Sequence, residues 1–160
     1  MNQKGFTLIE LVMILVLIGI LAVFVAPRLP NITASHAISF SDKLRADIRY
    51  AQNLAMTRNA RYRIYFNSAP SPNPGYAVTD STAAIVQDPA GGGNLSVTLN
   101  AGDYTGITGI AMAPLYTFIE FDSLGRPYDN AGSLLAAAVI LTISPGAVTI
   151  SITPQTGAVN

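Results

Sequence analysis

One carboxylate stands where a carboxylate is costly. Glu10 heads an apolar run, Leu11 to Ala26, that contains no charged residue. A charge at membrane depth costs about 2.5–3.5 kcal/mol on insertion scales, so such a residue marks a functional site and calls for a partner. Lys4 is the only charge before it, and the partner is expected outside this chain. The alternative is a carboxylate that snorkels to the headgroups with no partner.

The other reactive residue types assemble nothing comparable. The 160 residues include no cysteine, which excludes disulfides, thiolate metal sites and a cysteine nucleophile. A single histidine, His36, excludes a histidine-rich metal site; a surface or capping role is expected for it. Gly91-Gly92-Gly93 has no Lys-Ser/Thr after it and is no phosphate loop. Asp122 and Asp129, near the Gly125 turn, could offer oxygens to calcium, but their spacing fits no standard calcium loop. An Asx turn is the plainer expectation. Asn31-Ile32-Thr33 and Asn94-Leu95-Ser96 fit a glycosylation triplet, a pattern common by chance. No nucleophile, base and orienting group come together, so no enzyme, cofactor or metal is expected.

Charge is balanced but polarised. Formal net charge is zero, so the whole molecule makes no electrostatic case for nucleic acid. Lys43, Arg45, Arg49, Arg58, Arg61 and Arg63 face Asp42 and Asp47, whereas beyond Ile64 Arg126 alone opposes six acids. Arg58, Arg61 and Arg63 form a candidate basic contact patch. It could bind phosphates without sequence preference, or meet acidic heads of neighbours or membrane lipid phosphates.

These residues need elements to hold them. Phe6 to Ala26 is about 21 residues, or roughly 31 Å of helix, the thickness of a bilayer core. A buried core helix and a cleaved secretory signal compete with a retained membrane helix. Cutting after Ala26 would put Phe24 three residues back and Pro27 just after the cut, both poor for a signal peptidase. A retained transmembrane helix is therefore expected. Lys4 favours a cytoplasmic N-terminus.

The segment Lys4-Gly5-Phe6-Thr7-Leu8-Ile9-Glu10-Leu11 and its apolar run resemble the leader and first helix of type IV pilins and of type II secretion pseudopilins. The resemblance implies a leader at 1–5, cleavage between Gly5 and Phe6 by a membrane-bound prepilin peptidase, and N-methylation of Phe6. It also implies a helical filament with these helices in its core, built on an inner-membrane assembly platform. Glu10 would then meet the Phe6 amine of an adjacent subunit, pairing two groups each costly alone. Gly5, without a side chain, leaves backbone open to the protease.

A membrane helix is expected at 6–29, an amphipathic helical stem at 30–60 and a β-rich head at 61–160. Pro27 and Pro30 break the first helix by a kink or melted turn, or by a plain end at the membrane surface. Phe40, Leu44, Ile48, Ala51, Leu54 and Ala55 recur at helical spacing, predicting a helix over 34–58 whose apolar stripe packs on a sheet. Alternation predicts strands at 62–66, 76–79, 83–87, 95–99 and 116–121, and a hairpin of 137–143 with 148–152 about Ser144-Pro145-Gly146. The fold class is thus α+β, a long N-terminal helix on an antiparallel β-rich head, pilin-like.

Leu44 to Ala55 with Arg58-Asn59, Ile119 to Gly125 and Thr156-Gly157-Ala158-Val159 resemble GspH/FimT-type minor subunits and similar minor pilins of mannose-sensitive haemagglutinin systems. The stretch 68–112 carries no such resemblance. The absence of a cysteine pair departs from many major pilins. The function implied is a structural minor pilin or pseudopilin, with prepilin peptidase and other pilin subunits as partners. It would sit single-pass in the bacterial inner membrane, head periplasmic or extracytoplasmic, then in a pilus or pseudopilus. Two alternatives remain: a DNA-uptake subunit using the basic patch, and an anchored ligand-binding head that does not polymerise. Nucleic acid is not the expected partner.

Overall fold

The computed structural model describes residues 5–25, 32–91, 93–146 and 148–160, without the side chains of 23–25, 32 and 33. Pro27 and Pro30 lie outside the described residues. The chain divides into two units, Met1–Asn31 and Ile32–Asn160.

The first unit contains helix α1, Leu8–Val25. Apart from Glu10 and Gly19 its residues are apolar, on every face, and the described side chains stand exposed from Leu8 to Ala22. Among the described residues no helix is long and apolar enough to cross a membrane. The stretch described with its side chains rises roughly 22 Å, short of the about 30 Å of a bilayer core.

The second unit is built on helix α2, Ile32–Arg58. Eight strands follow: β1 Tyr62–Phe66, β2 Gly75–Asp80, β3 Ser96–Thr98, β4 Gly109–Ala113, β5 Phe118–Phe121, β6 Pro127–Tyr128, β7 Val139–Ser144 and β8 Val148–Ile152. They form a five-stranded sheet, β3-β2-β1-β5-β6, and a three-stranded sheet, β4-β7-β8. All pairings are antiparallel. The expected helical stripe is the face that packs: Ala37, Phe40, Leu44, Ile48, Ala51 and Ala55 are fully buried, against both sheets. The helix is thus a wall of the head's core.

The strand expectations hold in outline, with three differences. Residues 83–87 form isolated bridges, Thr79 with Ile85 and Gln87 with Asn94, instead of a strand. β4, Gly109–Ala113, begins within the stretch 68–112 and lies outside the predicted strands, because Gly109, Ala111 and Ala113 give no alternation of apolar and polar types. β6 is a two-residue strand outside the predicted ones, directly after the Gly125 turn.

One hairpin loop recurs three times. At Asp80, Asp122 and Asp129 the N–H groups two and four residues on donate to the aspartate Oδ1 at 2.8–3.0 Å. The third residue on, Ala83, Gly125 or Gly132, takes φ of +67°, +76° or +80°. This is the three-residue hairpin connection, a type I turn closed by one left-handed residue. The carboxylate caps backbone donors that the turn leaves unpaired. These three acidic side chains are therefore structural, and the Asx-turn expectation for Asp122 and Asp129 is met.

The C-terminal segment is tied to α2. Arg49 donates to the Val159 carbonyl at 2.7 Å, and Gln52 to the carbonyls of Gly125 and Thr156 at 2.8 and 3.0 Å. Gly157, at φ +68°, leaves no room for a side chain: a Cβ there would lie 2.6 Å from the Gly125 oxygen and 2.7 Å from Gln52 Nε2.

Candidate functional site

The start of α1 is organised by two side chains. Thr7 precedes the first helical residue, and its Oγ1 accepts from the Glu10 N–H at 3.3 Å. The Glu10 carboxylate reaches back to the Thr7 N–H and hydroxyl, both at 3.4 Å. This reciprocal arrangement is a capping box, Thr-x-x-Glu, satisfying donors that every helix N-terminus leaves free. A carboxylate in the first turn also faces the positive end of the helix dipole. Glu10 is consequently held at the helix tip and exposed. Phe6, 78% exposed, directly precedes the cap. Gly5 has nothing within 4 Å of where a Cβ would sit.

The three arginines of the basic patch have different surroundings. Arg61 and Arg63 converge on one buried carboxylate, Glu120, which is 3% exposed. Arg63 Nε donates to it at 2.6 Å and Arg61 Nη1 to its other oxygen. The register makes this pairing: Arg63 stands directly opposite Glu120 across β1 and β5. Arg63 also lies over the Phe118 ring and Arg61 over Tyr128, each 4.9 Å from the ring centroid, a cation–π arrangement. Burial would weaken the charge on Arg63, but Glu120 outweighs it and raises the guanidinium pKa. Arg58 is separate, exposed in the last turn of α2.

A second buried carboxylate, Asp47, accepts from Tyr76 Oη at 2.5 Å and from Lys43 at 3.0 Å. Burial first, then the Asp47 charge, push the Tyr76 phenol far above its ordinary range, so Tyr76 is a fixed donor. For Lys43 burial acts against the charge, yet Asp47 and Asp88 leave the amine raised. Among the described residues no three His, Cys, Asp or Glu side chains gather as metal ligands.

Residues 1–26 match the family model for the prokaryotic N-terminal methylation motif. The solved structure of the type IV minor pilin FimU from Pseudomonas aeruginosa PAO1 superposes with a TM-score of 0.53 at 13% identity, covering 82% of this chain and 91% of that one. The fold is that of a type IV minor pilin. A second crystal form of FimU gives a TM-score of 0.48 at 16% identity over 76% and 89% of the two chains. No curated protein matches the sequence. The chain is therefore type IV pilin-like, with a prepilin motif on an α+β minor-pilin fold.

Sequence reasoning about this pilin-like chain singles out Glu10 but overlooks its cap. Thr7-Leu8-Ile9-Glu10 is a capping-box signature readable without a structure. Glu120 was also passed over. Its signal was an acid inside the strand pattern of Phe118–Phe121, with arginines two apart at 61 and 63 to match it across a pleat.

Proposed function

We propose that this chain is a structural minor pilin or pseudopilin, not an enzyme. Prepilin peptidase cuts it between Gly5 and Phe6 and methylates the new amine. Until assembly, the segment 6–29 spans the inner membrane with the N-terminus cytoplasmic and the head outside. In the filament, Glu10 pairs with the Phe6 amine of a neighbouring subunit.

The observation that carries this reading is the methylation motif joined to a minor-pilin fold. The chemistry of α1 supports it. Its exposed apolar surface must be covered by lipid or by like helices, and a charge at its tip would fix axial register, as a buried polar contact does in coiled coils. The capping box offers Glu10 a local place to wait. Its bonds at 3.4 Å are long, so an ammonium group could displace them for a shorter, charge-assisted contact.

Intact mass spectrometry of protein from its own membranes tests the proposal. Loss of residues 1–5 plus one methyl group is expected. An uncut chain, or one cut after Ala26, would sink it.

A further inference from the structure

Tyr62 is 6% exposed, and a buried phenol ordinarily finds a hydrogen-bond partner. Tyr76, also buried, donates to Asp47, and Tyr128 donates to Asp122 at 3.2 Å. The Tyr62 hydroxyl has no such partner among the described residues. Nor is it enclosed: the buried side-chain polar atoms that lack a partner there are Arg45 Nε and Thr79 Oγ1. It therefore opens into the groove of about 620 Å³ that Tyr62 lines between α2 and the loop 84–91. That volume is within the range of small-molecule sites.

The groove is pre-formed. Its outer wall is fixed to the sheet by backbone bonds, Val86 N–H to the Val78 carbonyl at 3.0 Å and Leu95 N–H to the Val86 carbonyl at 2.8 Å. The residues that meet there offer both halves of a hydrogen bond. The hydroxyls of Tyr62 and Tyr50 and the Arg58 guanidinium are donors without a partner among the described residues. Asp80 and Asp88 are acceptors with one oxygen to spare. The turn bonds of Asp80 all go to Oδ1. Asp88 takes the Ala90 N–H on Oδ1, and its Oδ2 lies 3.8 Å from Lys43, beyond hydrogen-bond reach. Lys43 itself is engaged by Asp47 at 3.0 Å. Leu54, Ile85 and Val86 supply apolar wall between these groups.

This mixture selects the ligand. A phosphate or carboxylate brings acceptors only and would face two carboxylates as well as Arg58. A cation brings donors only and would face the guanidinium. A hydroxyl both donates and accepts, and a sugar ring adds C–H faces for the apolar wall. We infer that the groove between α2 and the loop 84–91 binds a neutral saccharide, with Tyr50, Arg58 and Tyr62 donating to its hydroxyls and Asp80 and Asp88 accepting from them. The groove lies wholly within Ile32–Asn160, so saccharide binding goes beyond the filament reading and does not depend on it.

The test uses the full chain in a polyoxyethylene detergent, which carries no sugar headgroup. Methyl glycosides of glucose, mannose and galactose, and N-acetylglucosamine, are titrated by saturation-transfer NMR, with glucuronate and inorganic phosphate as anionic probes. At least one neutral sugar is expected to bind, and more tightly than either anion. Tyr62→Phe keeps the ring in the core and breaks no internal hydrogen bond. It should unfold at the parent's temperature yet bind that sugar several-fold more weakly, as loss of one hydrogen bond does. Ala84→Trp, on the exposed wall, fills the groove without entering the core and should abolish binding. The site is overturned if none of the neutral sugars binds, if an anion binds more tightly than all of them, or if either substitution leaves binding unchanged.

Discussion

Glu120 shows how a buried charge is made tolerable. Its two oxygens are taken by two guanidiniums, each also stacked on an aromatic ring. Removing the carboxylate leaves two cations facing each other over the sheet. Glu120→Ala should therefore destabilise the fold by about 2–3 kcal/mol, as for hydrogen bonds to charged groups, read by denaturant unfolding. Arg63→Ala should cost more than Arg61→Ala, since the Arg61 side chain is 48% exposed and Arg63 25% and water screens the more exposed pair. Asp122 makes a prediction about pH. Burial alone would raise its carboxyl, but bonds from Arg126, Leu124 and Tyr128 together hold it below its usual value of 3.8. A depressed folded-state value means the unfolded chain binds the proton more readily, so stability rises with pH there. The contribution is full above the unfolded value and is lost as pH falls through the folded one. Asp122→Asn should be less stable than the parent at pH 7, with the difference vanishing in acid below that range. An unchanged gap at low pH would show that the charge is not what matters.

At the scale of elements, the three aspartate-capped hairpins form a natural comparison series. Each requires a residue in the left-handed region, where an L side chain costs about 1–2 kcal/mol. Two loops use glycine there and one uses Ala83. Ala83→Gly should thus raise the melting temperature, unfolded-state entropy taking back part of the gain, while Gly132→Ala should lower it by about 1 kcal/mol in stability. No Cβ clash complicates Gly132, which has open space around it. Gly157→Ala should be worse than either, because conformational cost is joined by overlap with the Gly125 carbonyl and Gln52, and overpacking adds about 1–3 kcal/mol. Thermal unfolding of the three variants checks the order.

At the scale of the molecule, the proposed function gives the one carboxylate of α1 two tasks: to start a helix and to specify an assembly. These separate by substitution. Gln serves in a capping box as Glu does but carries no charge. Glu10→Gln should keep helix initiation, membrane retention and head folding, yet lose incorporation into filaments if the Phe6 amine is its partner. Thr7→Val should weaken the cap by about 0.5–2 kcal/mol while leaving the charge in place. Incorporation measured in sheared fractions distinguishes the two: parity of Glu10→Gln with the parent would remove the charge from the mechanism.

What the chain could declare by itself was whatever depends on neighbours along the chain. The membrane-like segment, the Thr7–Glu10 cap, the α2 stripe and the alternating strands β1 and β7 all follow from residues two to four apart, whose geometry is fixed by helix or strand period. The prepilin motif is likewise a local string. Contacts between distant residues were decided by the tertiary structure. Arg61 and Arg63 read as a free basic patch until the β1–β5 register brought Glu120 beneath them. Asp47, at a helical surface spacing from Lys43, became a buried acceptor only because Tyr76 crosses over it. Gly125, Gly157 and Gln52 lie more than thirty residues apart in sequence along at least one side of their contact, and only strand order makes them one joint. Sequence period specifies which face a residue takes; register and packing specify what that face meets.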